Sequence, residues 1–109
     1  MIKINIKRDK EDNIQRFIVK GHAGFSEYGS DIVCAGVSAI AYTAVGAMKN
    51  MVGKCNYVEK DGYMECTVPE GISDEKKKIA NIILEAAVIG FKQIEFSYRE
   101  YVSVSDKEV

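Results

Sequence analysis

The chain has 109 residues, 47% of them hydrophobic, and a formal net charge of −1. This length suits one domain with its own core and leaves no room for a second, and the hydrophobic share excludes a disordered chain. The nearly balanced charge removes the general attraction on which nucleic-acid affinity largely depends, so direct nucleic-acid binding is not expected.

Cysteine and histidine are sparse in this chain. Cys34, Cys55 and Cys66 form no Cys-x-x-Cys pair, and His22 is the single histidine. An odd number of cysteines without tight spacing is not typical of a disulfide framework, and one histidine does not complete the usual zinc pattern. The N-terminal residues alternate between apolar and polar, whereas a signal peptide has a continuous apolar stretch. We also expect no apolar run long enough to span a bilayer. The sequence thus predicts a reduced, cytoplasmic protein with no metal, no cofactor and no membrane partner.

The first half of the chain predicts two strands, a loop and a helix. Residues 2–7 alternate between isoleucine and polar residues, the period of a half-buried strand, and residues 14–20 suit a returning strand. Residues 21–30 contain three glycines and no periodicity, which indicates a loop. A helix is predicted over residues 32–50, which are rich in alanine and free of proline.

A hairpin is predicted after this helix. Asp61-Gly62 separates two strand-like runs at 55–60 and 63–68. Asp-Gly between such runs is a strong turn signal, because both central residues of the tightest hairpin turn take a positive φ.

The last third of the chain predicts a second helix and a final strand. Ser73 is the expected N-cap, and the apolar face would carry Ile79, Ile82, Ile83, Ala86 and Gly90. Alternation at Ile94, Phe96 and Tyr98 predicts the last strand, after which residues 103–109 are expected to fray. The order β-β-α-β-β-α-β describes a single α+β domain over residues 1–109, with a mainly antiparallel sheet and two packed helices.

Cys34 is the strongest candidate for a catalytic residue. If Ser30 or Asp31 caps the helix, Cys34 lies in its first turn, where unpaired N–H groups and the helix dipole favour a thiolate. The alternative is that Cys34 is a small buried hydrophobe, the common role of a free cysteine. Cys55 and Cys66 keep that second interpretation, since each lies in a strand pattern with no base nearby.

Three residues near Cys34 have alternative roles. His22 follows the second strand, and its imidazole is either a general base for the thiol or a surface group with no role. Asp31 is a helix cap, an orienting partner of His22, or a carboxylate that opposes the thiolate. Ser38 lies one turn after Cys34, and its hydroxyl bonds the sulfur, a substrate carbonyl, or a carbonyl of its own helix.

The glycines before the helix (Gly21, Gly24 and Gly29) raise the alternative of phosphate binding. That signal is weak, because the chain has no Gly-x-Gly-x-x-Gly, no Gly-Lys-Ser/Thr, and an aspartate that would repel an anion. A mobile loop at about 22–31, which admits an extended peptide and then closes over a nucleophile, suits these glycines better.

Residues 21–39 resemble a known family. The run Gly-His-Ala at 21–23 and the pattern Gly-x-Asp-Ile-Val-Cys-Ala-Gly-x-Ser-Ala at 29–39 closely resemble the ribosomal-processing cysteine protease family Prp. Chain length and element order agree over essentially the whole chain. The resemblance implies that Cys34 is the nucleophile and His22 the general base, and that Gly21, Asp31 and Ser38 shape the site.

The resemblance also implies a substrate and an assembly. The family removes a short N-terminal extension from large-subunit ribosomal protein twenty-seven, cutting after paired phenylalanines, and so supports ribosome assembly. It forms homodimers, and the loop between its two catalytic residues orders when substrate binds.

The substrate contacts are a separate expectation. A pocket for phenylalanine would use Phe25, Tyr28 or Tyr42, and the first N–H groups of the Cys34 helix would hold the oxyanion. A strand edge would hold the extended peptide by main-chain hydrogen bonds.

Two functions remain in competition on the residues alone. The first is a cysteine endopeptidase, and the alternative is a non-catalytic module that binds ribosomal protein segments through the 21–31 loop. A third, a redox-sensing thiol at Cys34, requires Cys55 or Cys66 beside it as a resolving cysteine.

Overall fold

A computed structural model describes residues 1–27 and 31–108. The elements are β1 (Ile2–Arg8), β2 (Ile14–Lys20), α1 (Ile32–Ala47) continued by a π-helical turn (Met48–Val52), β3 (Asn56–Lys60), β4 (Tyr63–Thr67), α2 (Asp74–Ser97) and β5 (Val102–Glu108). The predicted order β-β-α-β-β-α-β is confirmed.

The strands form one mixed sheet in the order β3-β4-β2-β1-β5. β1 is antiparallel to β2, and β4 is antiparallel to both β2 and β3, whereas β5 runs parallel to β1. The sheet is therefore mainly antiparallel, as predicted. Lys20 at the end of β2 lies beside Tyr63 at the start of β4, so the β3–β4 turn and the chain after β2 meet at one end of the sheet.

One core joins the sheet to both helices. The isoleucines of β1 are buried on one face, as their alternation predicts. α1 and α2 contact each other and contribute to the same cluster of buried residues. Phe17 of β2 meets Phe91 of α2 edge to face, with ring centroids 5.5 Å apart. Removal of this apolar surface from water is the main force that fixes the helices on the sheet.

The buried face of α2 differs from the predicted one. Ile82 and Ala86 are exposed, and the buried residues are Ala80, Leu84, Ala87, Val88 and Phe91. Ile79 and Ile83 of the predicted face are half-buried and pack against the core, so the prediction was wrong for Ile82 and Ala86. Apolar residues surround much of this helix, so its sequence contains two overlapping stripes. Gly90 packs closely against α1, since a Cβ there would lie 3.1 Å from Cδ1 of Ile40.

The last strand also lies elsewhere than predicted. Ile94 and Phe96 belong to α2, and the strand is Val102–Glu108, which includes most of the tail expected to fray. Val109 lies outside the described residues. The alternation at 94–98 is short, and Ile94 falls at helical spacing from Phe91. Pairing of β5 with β1, at the opposite end of the chain, stabilises the tail as a strand, and no local pattern reveals that pairing.

The hairpin is confirmed to within one residue at each outer end, but its turn differs in detail. Gly62 has a positive φ of +67°. Asp61 does not share that conformation, so the expectation that both central residues take a positive φ was wrong. One glycine in the left-handed region is enough to close this turn.

The helical segment Ile32–Val52 is longer and more apolar than the sequence expectation allowed. It has 21 residues and a mean hydropathy of 1.5, which by length and composition alone would let it cross a membrane. Core helices of folded domains have the same character, and α1 is one of them, with Val33, Val37 and Ala41 buried in the common core.

Candidate active site

Asp31 joins the loop after β2 to the start of α1. Its Oδ1 accepts hydrogen bonds from the N–H groups of Val33 (2.9 Å) and Cys34 (3.0 Å). Its Oδ2 accepts from the N–H groups of Phe25 (3.0 Å) and Ser26 (3.3 Å). Burial alone would raise the pKa of this carboxyl, but the four backbone hydrogen bonds lower it overall. Asp31 is therefore an ionised N-cap that also holds the loop against the helix.

The other roles weighed for Asp31 find less support. Both of its oxygens are engaged by backbone N–H groups, which disperse its charge beside Cys34. A carboxylate within ion-pair distance of the imidazole is that of Asp61 instead, whose Oδ1 lies 3.6 Å from His22 Nε2. Ser30, the other cap candidate, lies outside the described residues.

Cys34 lies in the first turn of α1, as predicted, and is half-buried. Its Sγ accepts a hydrogen bond from the backbone N–H of Ala23 at 3.2 Å. Cys34 is thus an accessible thiol with a donor, rather than a fully enclosed hydrophobe.

His22 and Cys34 line the same cavity. The cavity has a volume of about 410 Å³. The N–H of Ala23 bonds the sulfur, so the loop residue next to His22 lies against Cys34. Ser38 and Tyr42 line the α1 side of this cavity, and residues 59–64 of the hairpin line the other side.

The turn of the hairpin forms a wall of the site that sequence reasoning missed. Asp61 and Gly62 were assigned only a turn, yet both line the cavity. The carbonyl of Gly62 accepts a hydrogen bond from the N–H of Gly21 at 2.8 Å. A Cβ on Gly62 would lie 3.2 Å from Nε2 of His22. Asp-Gly marks the turn in sequence, but no sequence signal places this turn against the histidine.

Gly21 is required by the backbone. Its φ is +89°, and a Cβ there would lie 2.5 Å from the carbonyl oxygen of Met1. A side chain at this position therefore meets both conformational strain and a steric clash. Gly21 allows the chain to leave β2 and present His22 to the cavity.

The residues expected to bind a phenylalanine separate in the structure. Tyr42 lines the cavity, and its hydroxyl donates to Glu59 Oε2. Phe25 instead packs edge to face on Tyr98 and Tyr101, with centroid separations of 5.7 and 5.1 Å. Tyr28 lies outside the described residues. Of the three candidates, Tyr42 is thus the described one that lines the cavity together with Cys34, from the same helix.

The N–H groups at the start of α1 are already engaged. Those of Val33 and Cys34 donate to Asp31 Oδ1, and that of Ala35 donates to the Asp31 carbonyl at 3.0 Å. The expectation that these groups form an oxyanion hole is therefore not supported. The N–H of Ala23 is a donor beside the sulfur, and it lies in the loop rather than in the helix.

The hydroxyl of Ser38 keeps its alternative roles as predictions, although the residue lines the cavity with Cys34. Within residues 1–27 and 31–108, no group of three or more His, Cys, Asp or Glu side chains is arranged to hold a metal ion.

Comparison with known proteins places this geometry in a family. The family model described as Cysteine protease Prp matches residues 1–103. A Bacillus subtilis relative, named ribosomal processing cysteine protease Prp, is 32% identical over 108 residues, which are 96% of each chain. A relative of the same name from Staphylococcus aureus strain Mu50 is 31% identical over 110 residues, covering 98% of this chain and 100% of the relative.

Solved structures agree with the sequence matches. The crystal structure of an essential ribosomal processing protease Prp from S. aureus, in complex with a covalently linked product peptide, has a TM-score of 0.87 at 29% identity. It covers 98% of this chain and 100% of that one. The crystal structure of SMU.848 from Streptococcus mutans has a TM-score of 0.81 at 27% identity, covering 100% of this chain and 96% of that one. The protein described here is a cysteine protease and belongs to the Prp family.

Proposed function

We propose that Cys34 is the nucleophile and His22 the general base of this protease. The observation that carries the proposal is the hydrogen bond from the Ala23 N–H to Cys34 Sγ at 3.2 Å, since it brings the sulfur to the loop that bears the histidine. The shared cavity leaves room for a peptide segment between the helix and the hairpin. A nucleophile and a base that meet in one cavity are the minimum for covalent acyl transfer.

The reaction proceeds through a thioester. His22 takes the proton of the Cys34 thiol, and the thiolate attacks the scissile carbonyl carbon to give a tetrahedral oxyanion. The C–N bond then breaks, and the departing amine takes the proton from the imidazolium. His22 next removes a proton from water, and the resulting hydroxide attacks the thioester. The second tetrahedral intermediate expels the thiolate, which regains its proton, and the new carboxyl end of the peptide is released.

Two neighbours of this pair support the charges that develop. The Ala23 N–H bonds the sulfur in the resting enzyme and is close enough to donate to an oxyanion as negative charge moves from sulfur to oxygen. The carboxylate of Asp61 lies 3.6 Å from Nε2 of His22, where it can orient the ring and face the imidazolium that forms during the reaction. Asp61 therefore acts as a positioning residue through His22.

We propose that the substrate is the N-terminal extension of large-subunit ribosomal protein twenty-seven, cut after paired phenylalanines. The names of the relatives support ribosomal processing, and an S. aureus structure holds a substrate peptide. Tyr42 and Met64 give the cavity apolar surface for such a side chain. β3 lies at the sheet edge along the cavity, where an extended peptide could add main-chain hydrogen bonds.

We further propose a cytoplasmic homodimer without direct nucleic-acid or membrane contacts. Ile82, Ile89 and Phe96 of α2 are 69%, 60% and 73% exposed and follow one another at seven-residue spacing, which places them on one face. An exposed apolar stripe of this kind favours burial against a second copy. The free cysteines and the ribosomal role of the relatives support a reducing cytoplasm.

The test is cleavage of a peptide with the N-terminal sequence of the host's ribosomal protein twenty-seven. Wild type, Cys34→Ala and the control Cys55→Ser are incubated with it under reducing conditions, and the products are identified by mass spectrometry. We expect one cut, after the phenylalanines, with wild type and with Cys55→Ser. Cleavage by Cys34→Ala at the normal rate would contradict the assignment of the nucleophile. Binding without cleavage by folded wild type would contradict the proposed substrate and favour a non-catalytic interaction with it.

A further inference from the structure

Cys55 and Cys66 form a pair of thiols in contact. Cys66 lies in β4 opposite Tyr57 of β3, and Cys55 comes immediately before that strand. Residues 55 and 57 point to the same side of the chain, so Cys55 is the diagonal neighbour of Cys66. Their Sγ atoms are 3.2 Å apart and share a hydrogen bond. The sequence interpretation of two unrelated buried cysteines therefore missed a dithiol.

The two thiols have unequal surroundings. Cys66 is fully buried, and its hydrogen bond to Cys55 together with burial raises its pKa. Cys55 is half-buried. The hydrogen bond from Cys66 lowers the pKa of Cys55 to about 7, with burial acting against it and the charge of Lys49 acting with it. Cys55 is thus an accessible thiol with thiolate character, and Cys66 is a protonated partner directly behind it.

We propose that Cys55 and Cys66 are a redox modification site, which a hydroperoxide converts into an intramolecular disulfide. An accessible reactive thiol beside a resolving cysteine is the arrangement of redox-sensitive sites. Neither residue lines the cavity that holds Cys34. The site is therefore distinct from the catalytic thiol. The hypothesis of a redox-sensing thiol, first considered for Cys34, now applies to Cys55 with Cys66 as its resolving cysteine.

The chemistry has two balanced steps. The Cys55 thiolate, whose proton has passed to solvent, attacks one oxygen of the hydroperoxide, and the O–O bond breaks. Cys55 becomes a sulfenic acid, and the other oxygen leaves as an alkoxide or hydroxide that takes a proton from solvent to give an alcohol or water. The Cys66 sulfur then attacks the Cys55 sulfur. The S–O bond breaks, and the hydroxide leaves as water with the proton of Cys66. The dithiol loses two electrons and two protons, and the peroxide is reduced by two electrons.

The geometry demands little movement. The sulfur atoms must approach from 3.2 Å to the length of a disulfide bond, roughly 2.05 Å. Both cysteines belong to the β3–β4 hairpin segment, so the bond would close the hairpin below the turn that carries Asp61 and Gly62. The antiparallel pairing of β3 with β4 already holds the two chains together.

The test uses the full chain with Cys34→Ala, which removes the catalytic thiol. The protein is treated with hydrogen peroxide, its remaining thiols are alkylated, and its intact mass is measured. We expect both thiols to be lost together, with a mass lower by two hydrogen atoms, and dithiothreitol to restore them. Retention of both thiols under peroxide that oxidises free cysteine would overturn the proposal, as would oxidation to sulfinic acid without a disulfide.

Matched variants in the same background assign the roles. Cys66→Ala removes both the resolving thiol and the hydrogen bond that lowers the pKa of Cys55. In this variant we expect Cys55 to be oxidised more slowly than in the parent and to stop at the sulfenic acid, detected as its dimedone adduct. With Cys55→Ser we expect Cys66 to stay reduced. If Cys66 were oxidised in Cys55→Ser as fast as in the parent, Cys55 would not be the peroxide-reactive residue. Circular dichroism on each variant confirms that the comparison is made on folded protein.

Discussion

Replacement of Gly21 by alanine tests why a glycine must join β2 to the loop that bears His22. A non-glycine residue at φ +89° is disfavoured by about 1–2 kcal/mol. The new Cβ would also lie 2.5 Å from the Met1 carbonyl oxygen, far inside van der Waals contact, so the backbone must move. Movement of residue 21 breaks the 2.8 Å hydrogen bond from its N–H to the Gly62 carbonyl. Loss of that bond lowers the free energy of unfolding by about 1 kcal/mol.

The expected loss in the free energy of unfolding is therefore about 2–3 kcal/mol for Gly21→Ala. Gly71→Ala is the matched control, because Gly71 also has a positive φ, +76°, but a Cβ there meets no atom within 4 Å. Gly71→Ala should lower the free energy of unfolding only by the cost of a positive φ for alanine, about 1–2 kcal/mol. The difference between the two variants isolates the clash with Met1.

Urea unfolding, followed by circular dichroism, measures both losses in the free energy of unfolding. The value of kcat/KM on the peptide substrate measures whether the site still cleaves. We expect folded Gly21→Ala to lose cleavage, because the shift of residue 21 moves His22 away from Cys34, while Gly71→Ala keeps it. Equal stability losses in the two variants would refute the steric argument. Full activity of folded Gly21→Ala would refute the link between Gly21 and the position of the histidine.

Three further predictions concern charge, positioning and assembly. Asp106 accepts hydrogen bonds from Arg8 (2.7 Å), which lower its pKa, and burial acts against them. The stability that this lowered pKa contributes is fully present above about pH 4 and is lost as the pH falls through the pKa of folded Asp106. Asp106→Asn should therefore lower the free energy of unfolding in urea by about 2 kcal/mol at pH 7. Its free energy of unfolding should also fall less steeply than that of wild type as the pH is lowered below about 4. Asp61→Asn should lower kcat/KM about two- to fivefold, the effect expected when an exposed ion pair is lost. Asp61→Glu keeps the carboxylate and should restore kcat/KM. An unchanged kcat/KM in Asp61→Asn would exclude Asp61 from positioning the imidazole. For the proposed homodimer, Phe96→Glu should convert the wild-type dimer to monomer in sedimentation velocity, whereas the control Val58→Glu should not. A dimer that Phe96→Glu leaves intact would place the interface elsewhere, and a monomeric wild type would contradict the proposed dimer.

Several features of this protein could be predicted from short stretches of sequence because their physical causes are local. The period of the isoleucines in β1 places them on one face, and the Asp-Gly pair closes the hairpin. Asp31 and Ser73 cap the two helices as predicted, since a capping side chain bonds N–H groups two or three residues away. The order of the elements from β1 to α2 follows from the same local signals.

The candidate site was only partly predictable for the same reason. The motif around His22 and Cys34 identifies the family and predicts these two residues for the chemistry. That Ala23 donates to the sulfur, and that Asp61 faces the imidazole, depends on how the loop and the hairpin turn meet at one end of the sheet. These contacts join residues far apart in the chain, and no spacing in the sequence encodes them.

Sequence alone determined the class of fold, the helix caps, the hairpin and the family, because each depends on local periodicity, on short-range hydrogen bonds or on a contiguous motif. Tertiary structure decided which stripe of α2 is buried and that the polar tail is a strand beside β1. It also decided that Cys55 touches Cys66. Each of these outcomes depends on the packing of distant segments, where burial of apolar surface and strand pairing outweigh the weak local preference of the residues involved.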